Sequence, residues 1–87
     1  MSSPLKVRIR TVLKNAGSLQ DGVDTLGDDA DLHAAGLTSH ATVRLMLALE
    51  EAFDIEFPDR LLRRRTFSSI DAIAEALGEI GVREEAL

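Results

Sequence analysis

Hydrophobic residues recur at helical spacing in several stretches of this 87-residue chain. The periodicity predicts long helices over about residues 4–16, 39–54 and 69–79, and a short helix over about 59–64. We expect Leu61 and Leu62 of the short helix to turn inward, and Ser68 with Asp71 to form a capping pair for the last helix. No stretch shows the alternation of polar and apolar residues that is typical of a half-buried strand. The pattern therefore predicts an all-α fold, a small four-helix bundle that forms one domain over residues 1–87.

A long connection separates the first two predicted helices. It runs from Ser18 to Thr38 and holds three glycines and five aspartates. Apolar residues recur through it, which predicts that it packs on the core: Leu19, Val23, Leu26, Leu32 and Leu37. A loop of this length in a compact domain is usually functional. Near its end, Gly36 permits tight or positive-φ backbone geometry.

Ser39 stands where this loop meets the second predicted helix. Serine is a favoured N-cap residue, so one interpretation is that Ser39 only caps the helix. A second interpretation follows from the unpaired backbone N–H groups and the dipole at a helix start, which favour a bound anion such as a phosphate. The residues alone leave both interpretations open.

The second predicted helix carries two neighbouring arcs on a helical wheel. The first arc is predicted to face the core and comprises Thr42, Leu45, Met46, Leu49 and Phe53. The second arc comprises His40, Val43, Arg44, Leu47 and Glu51. Val43 and Leu47 make this second arc too apolar for a purely solvating face. They either widen the core stripe or form a contact with a partner, and the spacing alone does not decide.

The charge balance excludes one class of partner and leaves another open. The net charge of −5 argues against non-specific binding to nucleic acid, which needs a basic surface. Four arginines nevertheless fall within six residues: Arg60, Arg63, Arg64 and Arg65. Such a cluster either contacts a phosphate or an acidic partner surface, or forms a solvated face that neutralises nearby aspartates.

Composition also bears on compartment and on metal binding. The absence of cysteine excludes disulfides and thiolate metal sites. No apolar run approaches the roughly 20 residues that a membrane helix needs, and no apolar segment suited to a signal peptide follows the basic N-terminus. We therefore expect a cytoplasmic protein without a membrane partner. Asp28, Asp29 and Asp31 lack the spacing of a calcium loop, so no metal site is predicted.

The pattern predicts no catalytic site. An enzyme needs a positioned acid, base, nucleophile or metal. An arrangement of His33, Ser39 and an aspartate is conceivable, but nothing in the spacing holds the three together. The three phenylalanines are most simply core residues: Phe53, Phe57 and Phe67.

The run from Thr38 to Asp59 resembles the second helix and following loop of acyl carrier proteins. That family carries an Asp-Ser-Leu triplet, a helix ending in Leu-Glu-Glu, then Phe-Asp-Ile and a Pro-Asp turn. The corresponding segments here are Thr38-Ser39-His40, Leu49-Glu50-Glu51, Phe53-Asp54-Ile55 and Pro58-Asp59. The resemblance covers about Asp31 to Leu77. It implies a helical bundle of the acyl-carrier type with a long first loop.

The resemblance also implies a modification and a set of partners. Ser39 would receive 4′-phosphopantetheine from coenzyme A through a phosphopantetheinyl transferase. The attached arm would hold a cargo as a thioester and present it to a loading enzyme and a downstream acceptor enzyme. The family's partner-recognition surface falls on His40, Val43, Arg44, Leu47 and Glu51. We add four candidate partner-binding residues: Thr38, Arg60, Arg63 and Arg64.

Departures from the family pattern narrow the expected cargo. Carriers of the fatty-acid type usually have acidic residues where this chain has Thr38, Ala41 and Arg44. The run from Ala35 to Ser39, joined to that from Phe53 to Leu62, is more similar to stand-alone aminoacyl carrier proteins. Those proteins are charged with a small amino acid, such as glycine or alanine, by amino acid:carrier protein ligases. The alternative function is an unmodified helical adaptor that binds a protein partner through Val43 and Leu47.

Overall fold

Three α-helices form the framework of the protein. The computed structural model describes residues 3–16, 19 and 22–82. The helices are α1 (Pro4–Ala16), α2 (Ser39–Phe53) and α3 (Ile70–Ile80), and they lie on the three long segments that the periodicity predicts. Three short 3₁₀ turns connect them, at Val23–Thr25, Asp59–Leu61 and Arg64–Phe67. The described residues contain no β-strand.

Helix α1 packs against both α2 and α3. Leu5, Ile9 and Leu13 recur every four residues, so they lie on one face, and all three are buried. Pro4 occupies the first helical position, where its missing N–H costs no hydrogen bond. The apolar spacing of α1 thus buries one stripe in the centre of the fold.

Helix α2 turns a narrower face to the core than the helical wheel predicts. Leu45 and Leu49 are fully buried, whereas the other members of the predicted core arc are half-buried: Thr42, Met46 and Phe53. Ala41 completes the buried stripe and was not assigned to it by the wheel. The helix ends at Asp54, which adopts a left-handed conformation with φ 53° and donates its N–H to the Glu50 carbonyl.

The short helix predicted over about 59–64 is replaced by two 3₁₀ turns. Arg63 lies between them with an extended backbone (φ −142°, ψ 157°), which interrupts any continuous helical ladder. Leu61 and Leu62 were both expected to turn inward. Leu61 is buried, but Leu62 is 45% exposed, because the 3₁₀ turn Asp59–Leu61 ends just before it. The expectation for Leu62 was wrong.

Helix α3 begins one residue later than predicted, because its N-cap is Ser69. The Ser69 hydroxyl accepts a hydrogen bond from the Ala72 N–H at 3.0 Å. Ser68, the predicted capping residue, instead donates its hydroxyl to the Arg65 carbonyl at 2.8 Å. The helix runs through Gly78 and ends at Gly81, whose φ of 114° favours glycine.

The connection between α1 and α2 packs on the core, as its apolar residues predict. Val23, Leu32 and Leu37 are buried within the hydrophobic cluster, and Leu19 and Leu26 pack against it. Two backbone hydrogen bonds join this connection to the start of α3: Leu32 N–H to the Ser68 carbonyl and Asp71 N–H to the Asp28 carbonyl. These two hydrogen bonds hold the connection in place before it leads into α2. Among the described helices, none is long and apolar enough to cross a membrane.

Candidate functional site

Thr38, and not Ser39, caps helix α2. Thr38 has an extended backbone (φ −72°, ψ 168°), and its hydroxyl accepts a hydrogen bond from the Ala41 N–H at 3.1 Å. Ser39 is the first helical residue, so the interpretation that it caps the helix was wrong. Its side chain is exposed, and no described residue forms a hydrogen bond with its hydroxyl. The Ser39 hydroxyl is therefore open to reaction.

The loop before Ser39 is held by backbone contacts and one buried side chain. Gly36 adopts φ 120°, the positive-φ geometry that the sequence allows there, and donates its N–H to the His33 carbonyl. Leu37 is buried, and its N–H donates to the Leu32 carbonyl at 2.9 Å. This anchoring fixes where α2 begins and which of the two adjacent hydroxyl residues caps it.

A cleft of about 290 Å³ opens beside Ser39. One wall comes from α2 and the other from the chain around the 3₁₀ turn Arg64–Phe67. The lining residues are His33, Ser39, Thr42, Val43, Met46, Leu62, Arg63, Arg64 and Phe67. Sequence reasoning singled out Ser39, Val43, Arg63 and Arg64 from this set. It missed Leu62, because nothing in the local pattern shows that this leucine is exposed.

His33 contacts backbone rather than the Ser39 hydroxyl. Its Nδ1 lies 3.3 Å from the Leu37 carbonyl oxygen, and its Nε2 lies 3.0 Å from the Arg64 carbonyl oxygen. Both ring nitrogens are thus occupied, and the conceivable arrangement of His33, Ser39 and an aspartate does not form. The described residues also contain no group of His, Cys, Asp or Glu side chains that could hold a metal ion.

The second arc of α2 is exposed, which excludes one of its two interpretations, whereas the contact with a partner stays a prediction. Val43 is 52% exposed and Leu47 is 55% exposed, so neither widens the core stripe. Four other predicted partner-binding residues are exposed along the same helix or at its cap: Thr38, His40, Arg44 and Glu51. Exposed apolar side chains rimmed by charge are typical of protein contact surfaces. Ala41 is buried and takes no part in this surface.

The arginine cluster divides between two places. Arg63 and Arg64 line the cleft beside Ser39, and no described carboxylate forms an ion pair with either. Arg60 pairs with Glu79 of α3 at 2.9 Å and lines a second cleft of about 250 Å³, which Arg63 and Arg65 also line. A solvated face that neutralises aspartates therefore describes none of Arg60, Arg63 and Arg64.

Comparisons with known proteins match this arrangement. A family model described as "Phosphopantetheine attachment site" matches residues 8–77. The chain is 55% identical over 73 residues to an aminoacyl carrier protein of Agrobacterium fabrum (strain C58 / ATCC 33970), which covers 84% of this chain and 88% of that protein.

Two solved structures are similar across nearly the whole fold. One is a carrier protein from Agrobacterium tumefaciens in complex with an engineered Bradyrhizobium japonicum glycine:carrier protein ligase and ATP. It is 54% identical with a TM-score of 0.85, covering 87% of this chain and 99% of that chain. The other is the solution structure of an A. tumefaciens protein, 52% identical with a TM-score of 0.72, covering 94% of this chain and 99% of that one.

The family match and the similarity to known carriers, together with the all-helical fold, define the class of this protein as a carrier protein. The chain belongs to the phosphopantetheine attachment-site family. Within that family it is a homologue of aminoacyl carrier proteins, which carry a group for other enzymes and are not catalysts themselves.

The residues around Ser39 fit the family's prosthetic group. A phosphodiester needs an accessible hydroxyl, and Ser39 provides one at a helix start where the dipole favours negative charge. Arg63 and Arg64 add positive charge on the opposite wall of the cleft. No carboxylate lines this cleft to oppose an anion.

Proposed function

We propose that Ser39 is the residue that carries 4′-phosphopantetheine, within a single carrier domain over residues 1–87. The observation that carries the proposal is the exposed Ser39 hydroxyl, which the Thr38 cap leaves without a role in the helix. A phosphopantetheinyl transferase would supply the group from coenzyme A: the Ser39 oxygen forms the new ester bond to phosphorus, and the phosphoanhydride bond of coenzyme A breaks. Adenosine 3′,5′-bisphosphate leaves, and the hydroxyl proton is released. The 3₁₀ turns Asp59–Leu61 and Arg64–Phe67 occupy the place of the short helix that the periodicity predicts.

In this proposal the protein holds the phosphodiester and provides the surface that other enzymes bind. The start of α2 stabilises the negative charge by roughly 0.3–1 kcal/mol at an exposed position. The group supplies a thiol on a flexible arm, where a cargo is held as a thioester. Since the chain has no cysteine, such thiol chemistry depends wholly on the attachment.

Mass spectrometry tests the attachment residue directly. Purified protein is incubated with a phosphopantetheinyl transferase and coenzyme A. We expect wild-type protein to gain the mass of one phosphopantetheine and Ser39→Ala to gain none. Ser68→Ala is the matched control, because the Ser68 hydroxyl already donates to the Arg65 carbonyl. A mass gain on Ser39→Ala would refute the assignment.

We infer that the cargo is a small amino acid of the glycine or alanine type. The support is the similarity to aminoacyl carrier proteins and to a carrier crystallised with a glycine:carrier protein ligase. The test offers the modified protein to such a ligase with ATP and glycine or alanine. Loading of fatty acyl chains without any amino acid would refute this inference.

The partner surface of the proposal follows α2 and the two 3₁₀ turns Asp59–Leu61 and Arg64–Phe67. Its members are Thr38, His40, Val43, Arg44, Leu47, Glu51, Arg60, Arg63 and Arg64. The apolar pair Val43 and Leu47 supplies the buried part of a contact, and the arginines form its rim. Rim charges steer encounter and exclude wrong partners, so this rim favours a partner with acidic residues at its edge.

The partners of this surface would act in sequence. They are the phosphopantetheinyl transferase, an amino acid:carrier protein ligase and a downstream acceptor enzyme. The proposal places all of them in the cytoplasm. The alternative, an unmodified adaptor that binds through Val43 and Leu47, uses the same exposed pair. The mass of the protein from its native cell separates the two, since only the carrier gains phosphopantetheine.

A further inference from the structure

The second cleft, of about 250 Å³, lies between helix α3 and the chain over residues 60–66. Arg63 lines both this cleft and the cleft beside Ser39. The α3 wall includes Ala72 and Ala76, whose small side chains leave room between the two elements. Pockets that hold drug-sized ligands measure about 300–1,000 Å³, so this cleft suits a smaller molecule.

Thr66 brings a buried hydroxyl group to this cleft. It is the one buried polar residue in the described part of the chain, at 7% exposure. No described residue forms a hydrogen bond with its hydroxyl, and the oxygen is not wholly enclosed, so it opens onto the cleft that Thr66 lines. Buried polar groups are normally hydrogen-bonded. The Thr66 hydroxyl therefore indicates that a group from outside the fold completes this site.

The two walls of the cleft carry opposite charges. On one wall, Arg63 and Arg65 form no ion pair with any described carboxylate. The Nε of Arg63 donates to the Arg60 carbonyl at 2.8 Å, which orients the guanidinium and leaves its other N–H groups for a ligand. On the α3 wall, Glu75 is exposed and pairs with no described cation. Arg60 and Glu79 neutralise each other at 2.9 Å.

A ligand of this cleft has to satisfy both walls. A simple anion would accept hydrogen bonds from the guanidinium groups but would be repelled by the Glu75 carboxylate. A simple cation would be repelled by the arginines. A free amino acid carries a carboxylate and an ammonium group at neutral pH, so it complements both walls. Guanidinium groups bind carboxylates through paired N–H···O hydrogen bonds.

We propose that the second cleft binds a free α-amino acid as a zwitterion. Its carboxylate would accept hydrogen bonds from Arg63, Arg65 and the Thr66 hydroxyl, and its ammonium group would donate to Glu75. The inference goes beyond the proposed function, because this binding is non-covalent and does not involve Ser39. Since Arg63 lines both clefts, the ligand would contact a residue of the proposed partner surface.

An NMR titration of the unmodified protein at pH 7 tests the site. The probes are glycine, sodium acetate and methylammonium chloride at equal ionic strength, and the reporters are the amides of Thr66, Ala72 and Ala76. We expect glycine to shift these amides to saturation. Acetate and methylammonium should each bind about fivefold more weakly, because each lacks one of the two ionic contacts.

Two adjacent arginines provide a matched pair of variants. Arg65 lines only the second cleft, whereas Arg64 lines only the cleft beside Ser39. Arg65→Gln should weaken glycine binding about fivefold, and Arg64→Gln should leave it unchanged. Glu75→Gln should remove the preference for glycine over acetate, because the group that the ammonium requires is lost.

Thr66→Val separates a ligand contact from a structural role, since the two side chains have nearly the same shape. The Thr66 hydroxyl has no described partner in the fold, so the Tm should not fall, while glycine binding should weaken several-fold.

Three outcomes would overturn the proposal. They are an absence of saturable shifts with glycine, equal affinity for glycine and acetate, and equal effects of Arg64→Gln and Arg65→Gln. The titration needs neither the prosthetic group nor a partner enzyme. Its failure would therefore leave the assignment of Ser39 untouched, and failure of that assignment would leave this site untouched.

Discussion

The Glu50 carboxylate accepts a hydrogen bond from the backbone N–H of Phe57 at 2.9 Å. A side chain in the last turns of α2 thereby holds the segment that leaves the helix. Phe57 in turn packs edge-on against Phe67, with ring centroids 5.4 Å apart. Phe67 lines the cleft beside Ser39. The end of α2 therefore contacts, through the rings of Phe57 and Phe67, the cleft wall that faces the start of the same helix.

Loss of the Glu50 carboxylate should destabilise the fold, because the N–H of the buried Phe57 would lose its partner. We expect Glu50→Ala to lower the free energy of unfolding by about 1.5–3 kcal/mol, the range for a hydrogen bond to a charged group. The matched control is Glu51→Ala, whose exposed side chain should change it by less than about 0.5 kcal/mol. Urea denaturation measures both. Equal effects of the two substitutions would contradict the role of Glu50.

Acid should weaken the contact between α1 and the first connection. The Arg10 guanidinium lies 2.7 Å from the Asp28 carboxylate and lowers the pKa of that carboxyl below its ordinary value, with a further contribution from Lys6. A carboxyl whose folded-state pKa is depressed stabilises the fold above its unfolded-state pKa. That stabilisation is lost as the pH falls through the folded-state value.

Asp28→Asn should therefore lower the Tm at pH 7, and the gap to wild-type protein should close progressively as the pH falls below about 4. Thermal unfolding followed by circular dichroism from pH 7 to pH 3 measures this. Asp29→Asn is the control, because no described cation pairs with Asp29. A gap between wild-type protein and Asp28→Asn that stays constant with pH would rule out the ionic origin.

The assignment of the helix cap makes a prediction about two adjacent hydroxyl residues. Thr38→Ala removes the acceptor of the Ala41 N–H and should cost about 1 kcal/mol of stability. Thr38→Ser should retain most of the wild-type stability, since a serine hydroxyl caps equally well. Ser39→Ala should change stability by less than about 0.5 kcal/mol. The reverse order in urea denaturation would show that Ser39 is the cap.

The exposed apolar pair on α2 should matter for loading and not for folding. We expect Leu47→Ser to raise the KM for charging by an amino acid:carrier protein ligase several-fold, because a contact surface would lose an apolar side chain. Val7→Ser is the matched control, since Val7 is similarly exposed (49%) but lies on α1. Neither substitution should lower the Tm. An equal KM for the two variants would remove α2 from the ligase contact.

Reversal of charge at the rim should slow the encounter with the ligase. Arg44→Glu and Arg63→Glu each change the local charge by two units, so an acidic partner would be repelled. We expect kcat/KM for charging to fall, and the loss to shrink as salt is added, because added ions screen exposed charges. Charging that is unaffected by both substitutions at low salt would contradict the proposed rim.

The α-helices could be predicted from the sequence because their apolar residues recur at a spacing that only a helix places on one face. The residue that caps α2 could not be predicted in this way. Thr38 and Ser39 are both good capping residues, and the choice between them depends on the buried Leu37 and the hydrogen bonds of the preceding loop. Local preference does not contain that information.

Other features depended on contacts between distant residues. The extended backbone of Arg63, which splits the predicted short helix, has no local signal such as glycine or proline. The contact of His33 with the Arg64 carbonyl spans 31 residues, so no spacing rule could find it. Ser39 itself was singled out by its place at a loop–helix seam and by family resemblance, and the structure adds that its hydroxyl is exposed.

Thr38 caps α2, whereas Ser39 is the proposed attachment residue. This separation has a consequence for a form of the protein that lacks the Ser39 hydroxyl. Because the cap does not depend on Ser39, we expect a chain without that hydroxyl to keep its second helix and the proposed partner surface. Such a chain would still be bound by enzymes that it could never supply with cargo. We expect it to act as a decoy, competing with the working carrier in proportion to its abundance.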